Sequence, residues 1–205
     1  MSQFYQNIIT QKSWELLLSI KKQFHFTLIG GWAVFLYTDN LKSKDIDIII
    51  DFESLQKLKS NYEIHKNERL KKYEIKQEAI DIDIYLPYYS WLGLPVEKIT
   101  PYTEVVETFT VVKKEILLFT KLQAYIERKA SVKGQKDKID ILSLILLSDF
   151  DFGFFKDFLS TNNKIAHIKT LYNMIIETKE VDELSLNRHF FSQKKKEILN
   201  KLSWK

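Results

Sequence analysis

The chain of 205 residues contains no cysteine. That absence removes disulfides, thiolate zinc sites and a cysteine nucleophile from consideration. Glycine and proline are scarce, at 5 and 3 residues, so neither fibrous nor low-complexity, disordered organisation is expected. No apolar run approaches the roughly 20 residues of a membrane span. The longest, IDILSLILL at 139–147, is short and interrupted by Asp140 and Ser143. The N-terminal stretch MSQFYQNIITQKSWELLLSIKK has no apolar core of signal-peptide length. The expectation is a soluble cytoplasmic protein with no membrane partner. The four histidines, His25, His65, His167 and His189, are scattered without zinc spacing. Neither a Gly-x-Ser-x-Gly elbow nor a Walker A loop occurs.

What is present suffices for a packed interior: 45% of residues are apolar and 14% aromatic. The formal charge of +4 suits an anionic ligand such as a nucleotide, and solubility explains it equally well. Apolar positions Trp14, Leu17 and Leu18 recur at helical spacing from Ser13 to Phe24. FTLIGG reads as a strand halted by two glycines, and WAVFLYT as a buried helix. DIDIIIDF, residues 45–52, reads as a strand and ESLQKLKSN as a short surface helix. Between Tyr62 and Leu86 two strands are expected, at KKYEIKQ and AIDIDIYL, the latter ended by Pro87. YYSWLGLP is an aromatic loop, and TEVVETFTVV offers further β-branched strands. From Lys113 the pattern becomes helical. KKEILLFTKLQAYIERKA forms one amphipathic helix, SVKGQK breaks it, DKIDILSLILLSD forms a second, and helices continue to Leu202. The fold class expected is α/β of the α+β kind, a small mixed β-sheet core flanked by helices over 1–112. A helical C-terminal region follows over 113–205.

The chemistry-bearing residues are carboxylates. In a strand, Asp45 and Asp47 project from one face roughly 7 Å apart, and so do Asp81 and Asp83. Carboxylates gathered on one face repel, and a divalent cation relieves that repulsion; all-oxygen donors select Mg²⁺ or Mn²⁺. Asp-Ile alternation is also the pattern of an antiparallel strand with one wet face. Two such motifs, built from a poor strand former, favour the functional reading. Gly30-Gly31 between strand and helix admits a close backbone approach, and the helix N-terminus offers N–H groups to a phosphate. An ordinary strand-to-helix turn uses glycine too.

LIGGWAVFLYTDNLKSKDIDIII resembles the signature of the nucleotidyltransferase superfamily that includes DNA polymerase beta. That pattern is a strand, Gly-Gly or Gly-Ser, a short helix, and Asp-x-Asp on the next strand. AIDIDIYLP resembles the later strand that supplies a third carboxylate. The resemblance implies Asp45, Asp47 and Asp83 as catalytic, metal-binding residues, with Asp81 the substitute for Asp83, and Gly30 and Gly31 beneath the phosphates. KLQAYIERKASVKGQKDKIDILSL resembles the helical region of minimal nucleotidyltransferases and AbiEii-type toxin relatives. It implies nucleotide contacts from Lys121, Arg128, Lys136, Asp137 and Asp140. Lys121, Tyr125 and Arg128 share a helical face, which a solvated basic stripe would also do. Asp137 would equally serve as a helix cap, with Asp140 supporting the first turn.

The activity implied is transfer of a nucleoside monophosphate from an NTP to an acceptor hydroxyl by a two-metal mechanism, with Mg²⁺ or Mn²⁺ as cofactor, Asp45 and Asp47 holding the two ions and Asp83 sharing one of them. A toxin-type enzyme acting on tRNA or protein, with a cognate antitoxin as partner, is the first expectation. The alternatives are an antibiotic-type enzyme with a small-molecule acceptor, and a non-catalytic module of a toxin–antitoxin pair. The Lys194–Lys196 run suggests nucleic acid, as it also suits a solvated helix face. Trp91 and its neighbouring tyrosines suit either a base pocket or the core.

Overall fold

Isoleucine alternates with aspartate at 45–48 and 80–84, and the two stretches become neighbouring strands whose isoleucines face one way. The computed structural model describes residues 3–179, 181–184 and 187–203. Among these the chain forms seven strands and eight α-helices, divided into two compact units, 1–113 and 114–205.

In the first unit the elements run α1 (Gln3–Gln23), β1 (Thr27–Ile29), α2 (Gly30–Thr38), β2 (Ile46–Ile49) and α3 (Phe52–Lys59). There follow β3 (His65–Asn67), β4 (Lys72–Gln77), β5 (Ile80–Tyr85), β6 (Thr103–Val106) and β7 (Phe109–Val112). They make one mixed sheet in the order β3-β4-β5-β2-β1-β7-β6. The β2–β5 and β1–β7 pairs are parallel and the rest antiparallel. The mixed α/β class expected from the sequence is the class observed.

Ile46, Ile48, Ile82 and Ile84 are each at most 1% exposed, which accounts for the alternation: one face of β2 and β5 is packed and the other carries the aspartates. Trp32, buried on α2, donates its indole N–H to the buried Ser13 hydroxyl at 2.9 Å. Trp14 and Phe35 pack against its ring, and Phe109 packs against Trp14 in turn. The buried indole thus keeps its hydrogen bond while its ring joins the core.

Two boundaries differ from the sequence reading. Helix α1 begins at Gln3 rather than near Ser13. Strand β2 stops at Ile49, because Asp51 turns to cap α3, accepting the Ser54 backbone N–H at 2.7 Å. That hydrogen bond holds the Asp51 carboxyl below its usual range.

The second unit contains α4 (Lys114–Arg128), α5 (Val132–Ile145), α6 (Phe152–Thr161), α7 (Ala166–Glu177) and α8 (Arg188–Leu202). The helical expectation through Leu202 includes residues 180, 185 and 186, which lie outside the described residues. Expectation and structure differ at SVKGQK. The interruption is confined to the turn ahead of Ser131, whose hydroxyl caps α5 by accepting the Gly134 N–H at 3.0 Å. Residues Val132–Lys136 are helical. Gly134 is not a breaker: a Cβ there would lie 2.2 Å from the Arg128 carbonyl oxygen, so glycine lets α5 pass close to the end of α4. Among the described residues no helix is long and apolar enough to cross a membrane.

Candidate active site

Strand register decides which carboxylates meet. Asp47 on β2 pairs with Asp83 on β5, and Asp83 pairs in turn with Glu74 on β4. Register partners project from the same face, so three acidic side chains form a row across three strands. Asp81 lies one alternation earlier on β5, opposite Lys76. Asp45 precedes β2, in the bend that leads into it, and is half-buried.

Gly30 opens α2 with φ +71°, a left-handed conformation that glycine adopts without a Cβ penalty. A Cβ on Gly30 would lie 2.0 Å from Asp47 Oδ2 and 2.7 Å from Asp47 Cβ. The Asp47 side chain therefore rests directly on the Gly30 backbone, where the first turn of α2 begins. Gly31 follows as a buried residue, and Ile29, in the N-cap position, supplies no side-chain hydrogen bond to that turn. First-turn N–H groups of a helix attract anions.

A residue that sequence reasoning passed over enters the row from β4. Lys72 Nζ lies 2.6 Å from Asp83 Oδ2 and 3.0 Å from Glu74 Oε1, with its side chain 11% exposed. Asn67 Nδ2 also donates to Glu74 Oε1, at 3.0 Å. The available signal was the alternation Lys72-Tyr-Glu74-Ile-Lys76, which puts its charges on one face as the two Asp-Ile-Asp motifs do.

The electrostatics follow from this packing. Burial pushes the Asp83 carboxyl up to about 6, the charge of Asp47 adds to the rise, and Lys72 opposes it. Burial by itself would lower Lys72; its bonds to Asp83 and then Glu74 outweigh that and raise it. Glu74 is lowered, because hydrogen bonds from Lys72 and Asn67 overcome its partial burial. At neutral pH Asp83 is ionised and Lys72 charged, so the ion pair is intact.

Among the described residues no three histidine or acidic groups are gathered closely enough to hold a metal ion. The assembled element is the pair Asp47 and Asp83, with Lys72 on Oδ2 of Asp83. In kind it fits a hard divalent cation: the donors are carboxylate oxygens, they sit side by side on neighbouring strands, and their repulsion is registered in the raised Asp83.

The second group of sequence candidates forms an ion network within the second unit. Lys121 Nζ lies 2.7 Å from Asp140 and 3.6 Å from Asp137. Arg128 donates to both oxygens of Asp137, from Nε at 2.8 Å and Nη2 at 3.0 Å. Asp137 and Asp140 are 2% and 1% exposed. Asp137 lies inside α5, well past its cap at Ser131, so it caps nothing. Lys136 is half-buried beside it. Lys121 and Arg128 are paired with buried carboxylates, and pulling either cation off its partner would leave a buried charge uncompensated, which is costly. The visible work of this group is to join α4 to α5.

No family model matches the chain, and no curated protein matches it significantly in sequence. Solved structures do. A provisionally assigned nucleotidyltransferase from H. pylori superposes with a TM-score of 0.50 at 18% identity, over 98% of this chain and 97% of that one. JHP933 from Helicobacter pylori gives a TM-score of 0.50 at 17% identity, over 98% of this chain and 94% of that one. The chain shares its fold, a nucleotidyltransferase-like mixed sheet with accompanying helices, with these proteins.

Proposed function

We propose that the chain is a nucleotidyltransferase that moves a nucleoside monophosphate from an NTP to an acceptor hydroxyl. One observation carries this reading: Asp47 and Asp83 are in-register partners on parallel strands, and Asp47 lies against the left-handed Gly30 that opens a helix. A paired carboxylate site is thereby set beside an anion-receptive helix end, the combination a metal-bound triphosphate requires. The shared fold with a provisionally assigned nucleotidyltransferase supports it.

In this reading Asp47 and Asp83 would hold Mg²⁺ or Mn²⁺, which would supply charge neutralisation to the triphosphate and acidify the acceptor hydroxyl; Asp45, half-buried just ahead of β2, is the further carboxylate that the resemblance assigns to the metals. The N–H groups at Gly30 and Gly31 receive phosphate oxygens. The acceptor oxygen bonds to the α-phosphorus as the bond to the pyrophosphate oxygen breaks. The hydroxyl proton passes to a carboxylate oxygen of Asp83.

The acceptor assigned first is tRNA or protein, on the resemblance of the Lys121–Asp140 segment to AbiEii-type relatives; a small molecule is the competing acceptor. The test is incubation with each α-labelled NTP, Mn²⁺ or Mg²⁺ and total tRNA, beside Asp47→Asn. Label in RNA or protein that the variant fails to produce supports the reading and names base and acceptor. Turnover by Asp47→Asn at the wild-type rate would sink it. Metal-dependent NTP binding without transfer points to the small-molecule acceptor, and absence of any NTP binding refutes the enzyme.

A further inference from the structure

Lys72 has two anionic partners and a largely buried side chain. Its ammonium lies 2.6 Å from Asp83 Oδ2 and 3.0 Å from Glu74 Oε1, on a side chain 11% exposed. Glu74 is itself held in place by Asn67. Lys72 and Glu74 sit two residues apart on β4, facing the same way as Asp83 and Asp47. A lysine in this position neutralises the very carboxylate that the proposed function assigns to a divalent cation. Two cations compete there for one oxygen, and the ammonium already touches a second acceptor.

We propose that Lys72 is a positioning residue for the metal site: it occupies Asp83 Oδ2 until a divalent cation arrives, then withdraws onto Glu74, which serves as its resting partner. The inference rests on the metal reading of Asp47 and Asp83. Three consequences follow from charge alone. Asp83 is kept ionised and oriented before the cation binds. The cation must displace an ammonium, so its intrinsic affinity is held down. Glu74 makes the displacement easier by offering Lys72 a charge-assisted hydrogen bond in exchange.

The experiment is direct Mn²⁺ binding to the full-length chain without nucleotide, followed by the electron paramagnetic resonance of free Mn²⁺. Lys72→Met removes the competing charge and should tighten Mn²⁺ binding by about tenfold, a modest part of the repulsion between cations a few ångströms apart. Glu74→Gln strands Lys72 on Asp83 and should weaken binding by a similar factor. Lys72→Arg keeps the charge and should stay near wild type. Generic structural damage would weaken binding in all three variants, so the opposite signs isolate the role of Lys72. Binding to wild type that Lys72→Met leaves unchanged or weakens overturns the inference and leaves the metal site standing. Binding that Asp47→Asn does not reduce, or absence of binding in every protein, overturns the metal reading and the inference with it.

Discussion

Gly30→Ala tests the contact on which the site is built. The substitution adds a Cβ at φ +71°, 2.0 Å from Asp47 Oδ2, 2.5 Å from its Cγ and 2.7 Å from its Cβ. Rotation of the carboxylate relieves the first two clashes only. The third is with an atom fixed to the β2 backbone, so β2 or the start of α2 must shift. Left-handed backbone at alanine costs about 1–2 kcal/mol, and forcing an extra methyl into a packed site adds about 1–3 kcal/mol. A loss of about 3 kcal/mol is therefore expected for the first unit. With a urea dependence of about 1–3 kcal/mol per molar, the midpoint should fall by roughly 1–3 M. Tryptophan fluorescence is the assay of choice, since Trp14, Trp32 and Trp91 all belong to this unit and Trp32 is two residues from the substitution. Mn²⁺ binding, read on the same sample below the transition, should drop as Asp47 is displaced. A variant with an unchanged midpoint and unchanged Mn²⁺ affinity would refute the packing argument and the role of Gly30 together.

Three further expectations follow. Asp83 faces Asp47, Glu74 and Lys72, and its carboxyl rises from 3.8 to about 6 on folding. A raised folded value means that its contribution is fully present below 3.8 and lost as pH rises through 6, a change on the order of 2–3 kcal/mol. Urea titrations in EDTA should show wild type losing this stability between pH 4 and pH 7, with Asp83→Asn lacking the loss; parallel profiles would contradict the assignment. Lys121→Met leaves Asp140 and Asp137 at 1% and 2% exposure short of one cation and should cost the second unit about 3–5 kcal/mol by circular dichroism; a cost below 1 kcal/mol would show that the network is dispensable. Gly134→Ala should destabilise that unit by about 1–2 kcal/mol despite alanine's better helix propensity, because its methyl meets the Arg128 carbonyl at 2.2 Å; a stabilised variant would show that the turn yields.

The strands were legible because burial on one face leaves a period of two: Ile46, Ile48, Ile82 and Ile84 are buried and the intervening aspartates are not. Helices α4 and α5 were legible for the same reason at a helical period. The start of α5 was not, because glycine is a breaker in isolation and a packing residue here, and only the position of the Arg128 carbonyl distinguishes the two. The pairing of Asp47 with Asp83 is a matter of register across a long sequence separation, to which periodicity is blind. Lys72 escaped notice because a lysine on a strand reads as solvated until the neighbouring strand is known. The Lys121 and Arg128 face was visible as a basic stripe, but its buried partners on α5 were not, since Asp137 and Asp140 look like ordinary helix-face acids until α5 is docked on α4.

The pairing of β2 with β5 has a kinetic side. On one flank, β1, α2 and β2 are close in sequence; on the other, β3, β4 and β5 form a meander of short connections. Each can form early from local contacts, while their junction must wait for a long loop to close. Asp47 is on one side of that junction and Asp83, Glu74 and Lys72 are on the other. The junction therefore closes against acidic repulsion, with one lysine travelling on the acidic side to soften it. Each half carries part of the site, Gly30 against Asp47 in one and Lys72 between Asp83 and Glu74 in the other, and the Asp47–Asp83 pairing is gained only when the two halves of the sheet join. Recovery of the proposed Mn²⁺ binding should therefore follow that joining, later than the first appearance of secondary structure.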